Sequence, residues 1–283
     1  MSEQALPTAA AFVQQLAIDL NKGDIELPMF PNSVIRIQQA FQSEDSDMDE
    51  IIRIISSDPA LAARVLQLSN SAALRAVAEI VDVRQAVIRM GRDLIRSSAV
   101  AFALRQAERN EELSADSKAA LKQIWEESVE LAALCHVLTK KFTKLRADEA
   151  LLTGLLSVLG RLYIFMKSQE YGGIEFAELE QILADWHPSI CKAIAESWGM
   201  SDELVNALEN QLESDPELQE TASLTEVLVA AKLIVEHSAS GTPLDGNEFP
   251  LLRRLGVAAA NEPLVTLDAH EEDIDAIRRG LIG

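Results

Sequence analysis

The spacing of apolar residues constrains the fold of this chain more than any other feature of its sequence. Val34, Ile37 and Phe41 recur at intervals of three and four, which places all three on one face of a helix. Comparable segments follow along the chain, whereas runs that alternate apolar and polar residues, as half-buried strands do, are lacking. Ala and Leu dominate and aromatic residues make up only 5%, which also favours helices over strands. The sequence therefore predicts an all-α fold.

Residues that favour helix ends divide the chain into separate helices. Asp58-Pro59 predicts a helix start, because Asp caps backbone N–H groups and Pro suits the first helical position. Asn32 or Ser33 is expected to cap the helix that carries Val34, Ile37 and Phe41. Ser46 with Asp49 resembles a capping box at the start of the next helix. Further helices are predicted at residues 8–22, 117–143, 148–168, 174–185, 188–198, 201–212, 221–239 and 268–280, with one short helix within 240–267.

The charged stretch from Glu108 to Asp116 is the best candidate for a boundary between two lobes. We predict an N-terminal helical lobe at residues 1–110 and a second helical lobe at residues 111–283. The most membrane-like stretch, Leu151 to Met166, is short for a membrane span and contains Arg161, which predicts a buried core helix. The first twenty residues lack the basic region of a signal peptide.

Composition disfavours several classes of partner. The chain has 45 acidic and 25 basic residues, a net charge of −20. Such a surface repels phosphate backbones and anionic lipids, so neither a nucleic-acid nor a membrane partner is expected. Cys135 and Cys191 lack metal-site or redox spacing and lie in apolar helical segments, which predicts buried, reduced thiols. Reduced thiols fit a cytoplasmic protein.

Several short phrases occur in an order that resembles one bacterial family. They are Leu27-Pro28 with Pro31, Asp58-Pro59-Ala60-Leu61-Ala62-Ala63-Arg64-Val65-Leu66, Asn70-Ser71-Ala72, Ala86-Val87-Ile88 with Gly91, Trp125 with Ser128, Gly154-Leu155-Leu156-Ser157-Val158-Leu159-Gly160, His187, and Trp198-Gly199-Met200. Together they resemble an HDOD domain, a relative of the HD-domain metal-dependent phosphohydrolases, over about residues 25–240. The resemblance implies an N-terminal helical lobe packed on an HD-like helical lobe, and a role in signal transduction.

The resemblance also implies that the metal site of catalytic HD relatives is degenerate in this chain. Their His-Asp pair falls at Ser157 and Val158, a weak neutral ligand and a side chain with no donor atom. The other histidine positions of those relatives fall at Glu127, His187, Gln211 and Leu212. A zinc or dinuclear centre needs at least three or four well-placed ligands. We therefore expect no catalytic residue, no bound metal and no cofactor.

The remaining histidines are not expected to complete a metal site. His136 lies among apolar helical residues, where a core histidine is the better interpretation. His237 lies near a helix C-terminus, where the helix dipole favours it, and His270 lies beside Glu271 and Glu272 at a solvated helix start.

One segment departs from the overall acidity of the chain. Residues 75–109 hold seven arginines and four acids, a local net charge of +3. Arg89, Arg92 and Arg96 recur at helical spacing, and a guanidinium suits a carboxylate or phosphate. They form a candidate docking face for an acidic or phosphorylated partner. The alternative is that they neutralise the chain's own carboxylates.

The sequence as a whole predicts a non-enzymatic signal-transduction module that binds other signalling proteins. Two alternatives stay open. The chain could be a metal-dependent phosphohydrolase with an atypical site, or a sensor whose degenerate pocket binds a small anion or nucleotide. Metal content distinguishes the phosphohydrolase from the non-enzymatic module. A rise in melting temperature on adding a small anion or nucleotide would identify the sensor.

Overall fold

A computed structural model describes residues 9–22, 25, 27, 30–43, 47–71, 74, 79–108, 114–171, 174, 176–213, 221–240, 249–257 and 270–282. Within these residues there is no strand, which confirms the predicted all-α fold. The helices are α1 Ala9–Lys22, α2 Asn32–Gln42, α3 Met48–Ser57, α4 Pro59–Ser69, α5 Val83–Glu108, α6 Ala115–Phe142, α7 Ala147–Leu156, α8 Leu159–Ser168, α9 Phe176–Ser197, α10 Asp202–Glu209, α11 Leu224–Ser240, α12 Pro250–Arg254 and α13 Glu271–Ile282.

The helix starts near the N-terminus follow the predictions in part. Asp58 Oδ1 accepts hydrogen bonds from the backbone N–H groups of Ala60 and Leu61, so the predicted cap of α4 is confirmed. The predicted cap of α2 is wrong, because this helix begins directly after Pro31 without a side-chain cap. Ser33 instead donates to Asp58 Oδ2 over 2.7 Å, which ties α2 to the start of α4.

The start of α3 also differs from the expected capping box. Ser46 lies outside the described residues, and the cap is Asp47, whose Oδ1 accepts from Asp49 N over 3.0 Å. A carboxylate at this position also suits the positive end of the helix dipole.

Gly91 divides α5 into two segments. Its φ of 70° and ψ of −176° are non-helical, and a residue with a Cβ rarely adopts so positive a φ. The helix as a whole packs against α4 and also against α6 and α7. The predicted lobe boundary at residue 110 lies outside the described residues, and the division into two lobes stays a prediction.

The predicted helix at 148–168 is two helices, α7 and α8, separated at Ser157 and Val158. Ser157 Oγ donates to the carbonyl of Gly154 over 2.7 Å, and Val158 has a φ of −98° and a ψ of −8°. This break lets α8 pack along α9. The segment Ala147–Ser168 has the length and composition of a membrane span, but 78% of its most apolar window is buried inside the protein. The predicted buried core position is therefore confirmed, although not as one helix.

The two helices predicted on either side of His187-Pro188 are one continuous helix, α9. Proline removes one backbone donor and crowds the carbonyl four residues before it. That carbonyl belongs to Ala184, which is exposed, so water can satisfy it. The short helix expected within 240–267 is α12.

The two terminal helices pack on the rest of the molecule through polar contacts. Asp19 in α1 accepts a hydrogen bond of 2.6 Å from Tyr163 Oη in α8. Arg278 in α13 pairs with Glu130 in α6 through two hydrogen bonds. Two residues further along α13, Arg64 of α4 donates to the carbonyl of Gly280 over 2.9 Å. Thus α13 connects α6 with α4.

Candidate functional site

The six degenerate HD positions come from four parts of the fold. Glu127 lies in α6, His187 lies in α9, and the Ser157-Val158 pair lies at the α7–α8 break. Gln211 and Leu212 follow α10. Ser157, Val158, His187 and Gln211 are buried and Glu127 is half-buried, whereas Leu212 is 53% exposed. Leu212 therefore does not line the interior with the others.

The Ser157-Val158 pair has a structural role. Ser157 Oγ donates to its own helix, and the Ser157 carbonyl accepts a hydrogen bond of 3.3 Å from Cys191 Sγ in α9. The same sulfur accepts from Gly160 N over 3.1 Å. A Cβ at Gly160 would lie only 2.1 Å from the carbonyl oxygen of His187, so this glycine permits the close approach of α8 and α9. The pair thus fixes a helix junction.

His187 lies at this junction as a neutral side chain. Its Nδ1 donates to the carbonyl of Leu183 over 2.8 Å, which leaves Nε2 as the acceptor nitrogen. Burial lowers the pKa of His187 to about 4, and the nearby positive charge of Lys232 acts in the same direction. Nε2 is buried and accepts no hydrogen bond from the described residues. Of the positions inherited from catalytic relatives, this nitrogen is the best remaining metal donor.

Lys232 of α11 extends into the same region. Its Nζ donates to Gln211 Oε1 over 2.6 Å, and Gln211 Nε2 donates to the carbonyl of Leu208 over 2.8 Å. Burial lowers the pKa of Lys232, while the nearby Cys191 and Glu127 act in the opposite direction. The influence of Lys232 on the pKa values of His187 and Cys191 places its ammonium among the degenerate HD positions.

A second cation lies beside the first. Arg161 of α8 forms an ion pair with Glu127 Oε2, and both side chains are about one quarter exposed. Arg161 also lowers the pKa values of His187 and Lys232. The one carboxylate at a degenerate HD position is therefore engaged by a guanidinium.

These side chains do not fit a divalent metal. Gln211 Oε1 accepts from an ammonium, Glu127 pairs with a guanidinium, and Ser157 Oγ donates to a carbonyl. Within the described part of the chain, no group of three or more His, Cys, Asp or Glu residues could hold a metal ion. Two neighbouring cations would also oppose the charge of the metal.

Sequence reasoning missed Lys232, and it considered Arg161 only as evidence against a membrane span. The signal for Lys232 was a single cation within the apolar segment Val227–Val235 of a helix. A lone lysine on a helix is more often a surface residue. Only the packing of α11 against α6, α7 and α10 reveals where it lies.

The predicted arginine face is divided by the structure. Arg89 and Arg92 are exposed, with Gly91 between them, whereas Arg96 is only 5% exposed. The guanidinium of Arg96 lies 5.1 Å from the centre of the Phe41 ring and donates to the carbonyl of Trp198 over 3.2 Å. Little of Arg96 is therefore available to a partner, and the docking role of Arg89 and Arg92 stays a prediction.

The other histidine, cysteine and asparagine side chains considered from the sequence are packed or hydrogen-bonded within the fold. His136 is buried, its Nδ1 lies 3.2 Å from the carbonyl of Ala147, and burial lowers its pKa to about 4. Cys135 and Cys191 are buried free thiols, as predicted, and burial raises the pKa of Cys135 to about 12. Asn70 closes the end of α4 by exchanging two hydrogen bonds with the backbone of Ile80.

Comparison with known proteins identifies a family and a set of structural neighbours. The sequence profile of the HDOD domain matches residues 27–214. An uncharacterized protein of Treponema pallidum (strain Nichols) is 25% identical over 204 residues, or 65% of this chain. The match covers 37% of the length of that curated relative.

The solved structures share the fold at low sequence identity. A protein of Shewanella amazonensis SB2B, named as a candidate metal-dependent phosphohydrolase, aligns with a TM-score of 0.69 and 22% identity over 96% of this chain and 99% of its own. A protein of Marinobacter aquaeolei VT8, named as a candidate signal transduction protein, aligns with a TM-score of 0.55 and 19% identity over 97% of this chain and 66% of its own.

Proposed function

Because the chain belongs to the HDOD domain family, an HD-like family associated with signal transduction, we propose that it is a non-enzymatic regulatory module that acts by binding other signalling proteins. In this proposal the metal site of catalytic HD relatives is lost. The module works in the bacterial cytoplasm on partners supplied as separate chains.

The position of Lys232 is the observation that carries the proposal. Its Nζ, hydrogen-bonded to Gln211 Oε1, brings a cationic side chain to the place that the resemblance assigns to the metal. An ammonium cannot bind a metal while protonated, and like charges a few ångströms apart repel strongly where water is largely excluded. Lys232 and Arg161 together supply the charge that a metal would supply in a catalytic relative, without its Lewis acidity.

The hydrogen bonds of the site support the same conclusion. A ligating serine would have to give up its bond to Gly154, and Glu127 would have to give up its ion pair with Arg161. Each change would leave a buried or half-buried polar group without its partner, which costs about 1–3 kcal/mol. The arrangement is therefore stable as a packed junction and not as a metal centre.

The rival function is metal-dependent phosphoester hydrolysis, as the name of the Shewanella neighbour suggests for that protein. At 22% identity the likeness extends to the fold alone. Hydrolysis would need a metal-bound hydroxide, and His187 Nε2 is one donor where several are required.

Hydrolysis of bis(p-nitrophenyl) phosphate with added Mn²⁺ or Fe²⁺ tests the proposal. We expect no rate above the buffer blank for the parent chain, and none for Ser157→His combined with Val158→Asp. The double substitution restores two ligands but leaves Gln211 and Lys232 in place. A parent rate that is lost in His187→Ala would establish an active site and overturn the proposal.

A further inference from the structure

Two adjacent grooves border α4. The first has a volume of about 300 Å³ and lies between α4, the C-terminal part of α5 and the end of α13. The second has a volume of about 1000 Å³ and lies between α4, residues 79–81 and α13. Ala63 and Gln67 line both grooves, at the place where the two meet.

The charge of these grooves is opposite to that of the whole chain. Among the described residues that line them, the charged ones are Arg64, Arg105, Arg279 and a single acid, Glu79, whereas the net charge of the chain is −20. Burial lowers the pKa of Arg64 to about 10, and the neighbouring charge of Arg105 acts in the same direction. Cations gathered in a concave surface attract an anionic ligand, while the acidic surroundings repel one elsewhere.

The shape of the grooves favours a chain-like ligand over a small ion. Arg105 lines the first groove and Arg279 lines the second, so one ligand that reaches both must extend along α4. The lining residues of α4 run from Ala60 to Asn70, a length of about 15 Å, which an extended peptide covers with about five residues.

Apolar surface is available beside the cations. Ile282, which is 49% exposed, lines the first groove beside Phe102 and Leu281, which are 8% and 1% exposed. Val81 lines the second groove and is 76% exposed. A ligand with both carboxylates and apolar side chains would therefore match the lining along its whole length.

We propose that the two grooves form a docking site for an acidic peptide segment of a partner protein. Its carboxylates lie against Arg105 and Arg279, and a small apolar side chain packs against Ile282. Arg64 positions the groove wall, because its guanidinium donates to the last carbonyls of α13. This inference rests on the proposed function as a protein-binding module and names the surface and the partner chemistry.

Selection from a random peptide display library tests the docking site on the full chain. We expect the selected peptides to be enriched in Asp and Glu, and to bind less tightly at high salt. Ala63→Trp should abolish selection, because Ala63 is exposed and an indole there fills the junction of the grooves. Arg279→Glu should weaken binding by about tenfold or more. Arg253→Glu, an exposed arginine of α12 that lines neither groove, should leave binding unchanged.

The other possible occupants give distinct results. Selected peptides without acidic enrichment, or equal binding by Ala63→Trp, would overturn the proposal. So would self-association that Ala63→Trp removes, which would make the occupant a second copy of this chain. Stabilisation by inorganic phosphate, lost in Ala63→Trp while no peptide is selected, would make the grooves a small-anion site and also overturn it. None of these results depends on metal content, so a failed docking site and a failed non-enzymatic function are separable.

Discussion

Individual buried side chains in this protein are held in neutral or paired forms by their surroundings. His136 and His187 are both buried, with pKa values lowered to about 4 by burial first and by neighbouring lysines second. Lys232 is held beside Gln211, and Glu127 beside Arg161. At this scale Glu127 and Gln211 are paired with cationic side chains and His187 is neutral, at three of the positions that the resemblance assigns to the metal site.

The His136 side chain predicts a pH dependence of stability. Its folded pKa of about 4 lies below the unfolded value of about 6.5, so acid protonates the unfolded chain first. Stability is therefore fully present above the unfolded pKa and falls as the pH falls toward 4. We expect His136 to account for a loss of about 2 kcal/mol between pH 7.5 and pH 5. Urea unfolding of the parent and of His136→Asn measures this loss.

The control for this prediction is His270→Asn at the partly exposed start of α13. His136→Asn should flatten the decline in the free energy of unfolding, and His270→Asn should leave it as in the parent. Equal pH profiles for the parent and His136→Asn would show that His136 is not the titrating group.

The sequence pointed to the Ser157-Val158 pair at this scale but not to Lys232, the cation that we propose takes the place of the metal. Ser157 and Val158 could be identified from their place within Gly154–Gly160, because that phrase is local. Lys232 follows Ser157 by many residues in the chain, and only tertiary packing brings it to Gln211. The burial of Arg96 could not be predicted either, because it results from tertiary contacts with Phe41 of α2 and with Trp198.

At the scale of the helices, small residues set how closely neighbours approach. A Cβ on Gly154 would lie 2.6 Å from Ala132 Cα in α6, and one on Gly160 would lie 2.1 Å from the His187 carbonyl oxygen in α9. Because both neighbours are backbone atoms, neither contact can be relieved by a side-chain rotation. These glycines therefore fix the α6–α7 and α8–α9 contacts.

Gly160→Ala should lower the free energy of unfolding by about 3 kcal/mol or more, since the new methyl group must push two helices apart. Gly91→Ala is the matched control, because it has open space around the Cβ and only a strained φ of 70°. Gly91→Ala should lower the free energy of unfolding by about 1–2 kcal/mol. Urea unfolding measures both. A smaller loss for Gly160→Ala than for Gly91→Ala would contradict the close approach of α8 and α9.

The attachment of α13 can be tested separately. Arg64→Met keeps most of the aliphatic stem but removes the hydrogen bonds to the Gly280 and Leu281 carbonyls. Amide hydrogen exchange in the last turns of α13 should become faster, while exchange in α6 should be unchanged. Arg53→Met, an exposed residue that bonds to its own helix, is the control. Unchanged exchange in α13 would mean that the other contacts of this helix, among them Arg278 with Glu130 and Asp273 with Lys141, hold it without Arg64.

Most helices could be predicted from the sequence, because caps and apolar spacing are local. The α7–α8 break could not, because Leu156-Ser157-Val158-Leu159 continues an apolar pattern and the turn is held by Cys191 in another helix. At Pro188 the sequence predicted a helix boundary, but α9 is continuous there. The hydrogen bond that proline cannot donate would have gone to the carbonyl of Ala184, an exposed residue, and the packing of α9 keeps the helix continuous.

At the scale of the whole molecule, the buried cation Arg96 joins distant parts of the chain. Arg96 of α5 contacts Phe41 of α2 on one side, and Trp198 and Met200 beyond α9 on the other. Its pKa is lowered to about 10, by burial first and by Arg92 second. The guanidinium remains charged at neutral pH and links α2 to the residues that follow α9.

Arg96→Met should lower the free energy of unfolding by about 2–3 kcal/mol, because it leaves the Trp198 carbonyl without its donor and removes the contact with Phe41. Arg36→Met, on the exposed face of α2, should change it little. If Arg96→Met kept the parent stability but lost partner binding, Arg96 would belong to a docking face after all.

We propose that the HD-like junction is a packed, metal-free structure. Elemental analysis of the full chain, purified from cells supplied with iron, manganese and zinc, tests this proposal. We expect far less than one metal per chain, with the same value for His187→Ala, because the cationic side chains of Lys232 and Arg161 occupy the region. About one or more metals per chain, lost in His187→Ala, would contradict it.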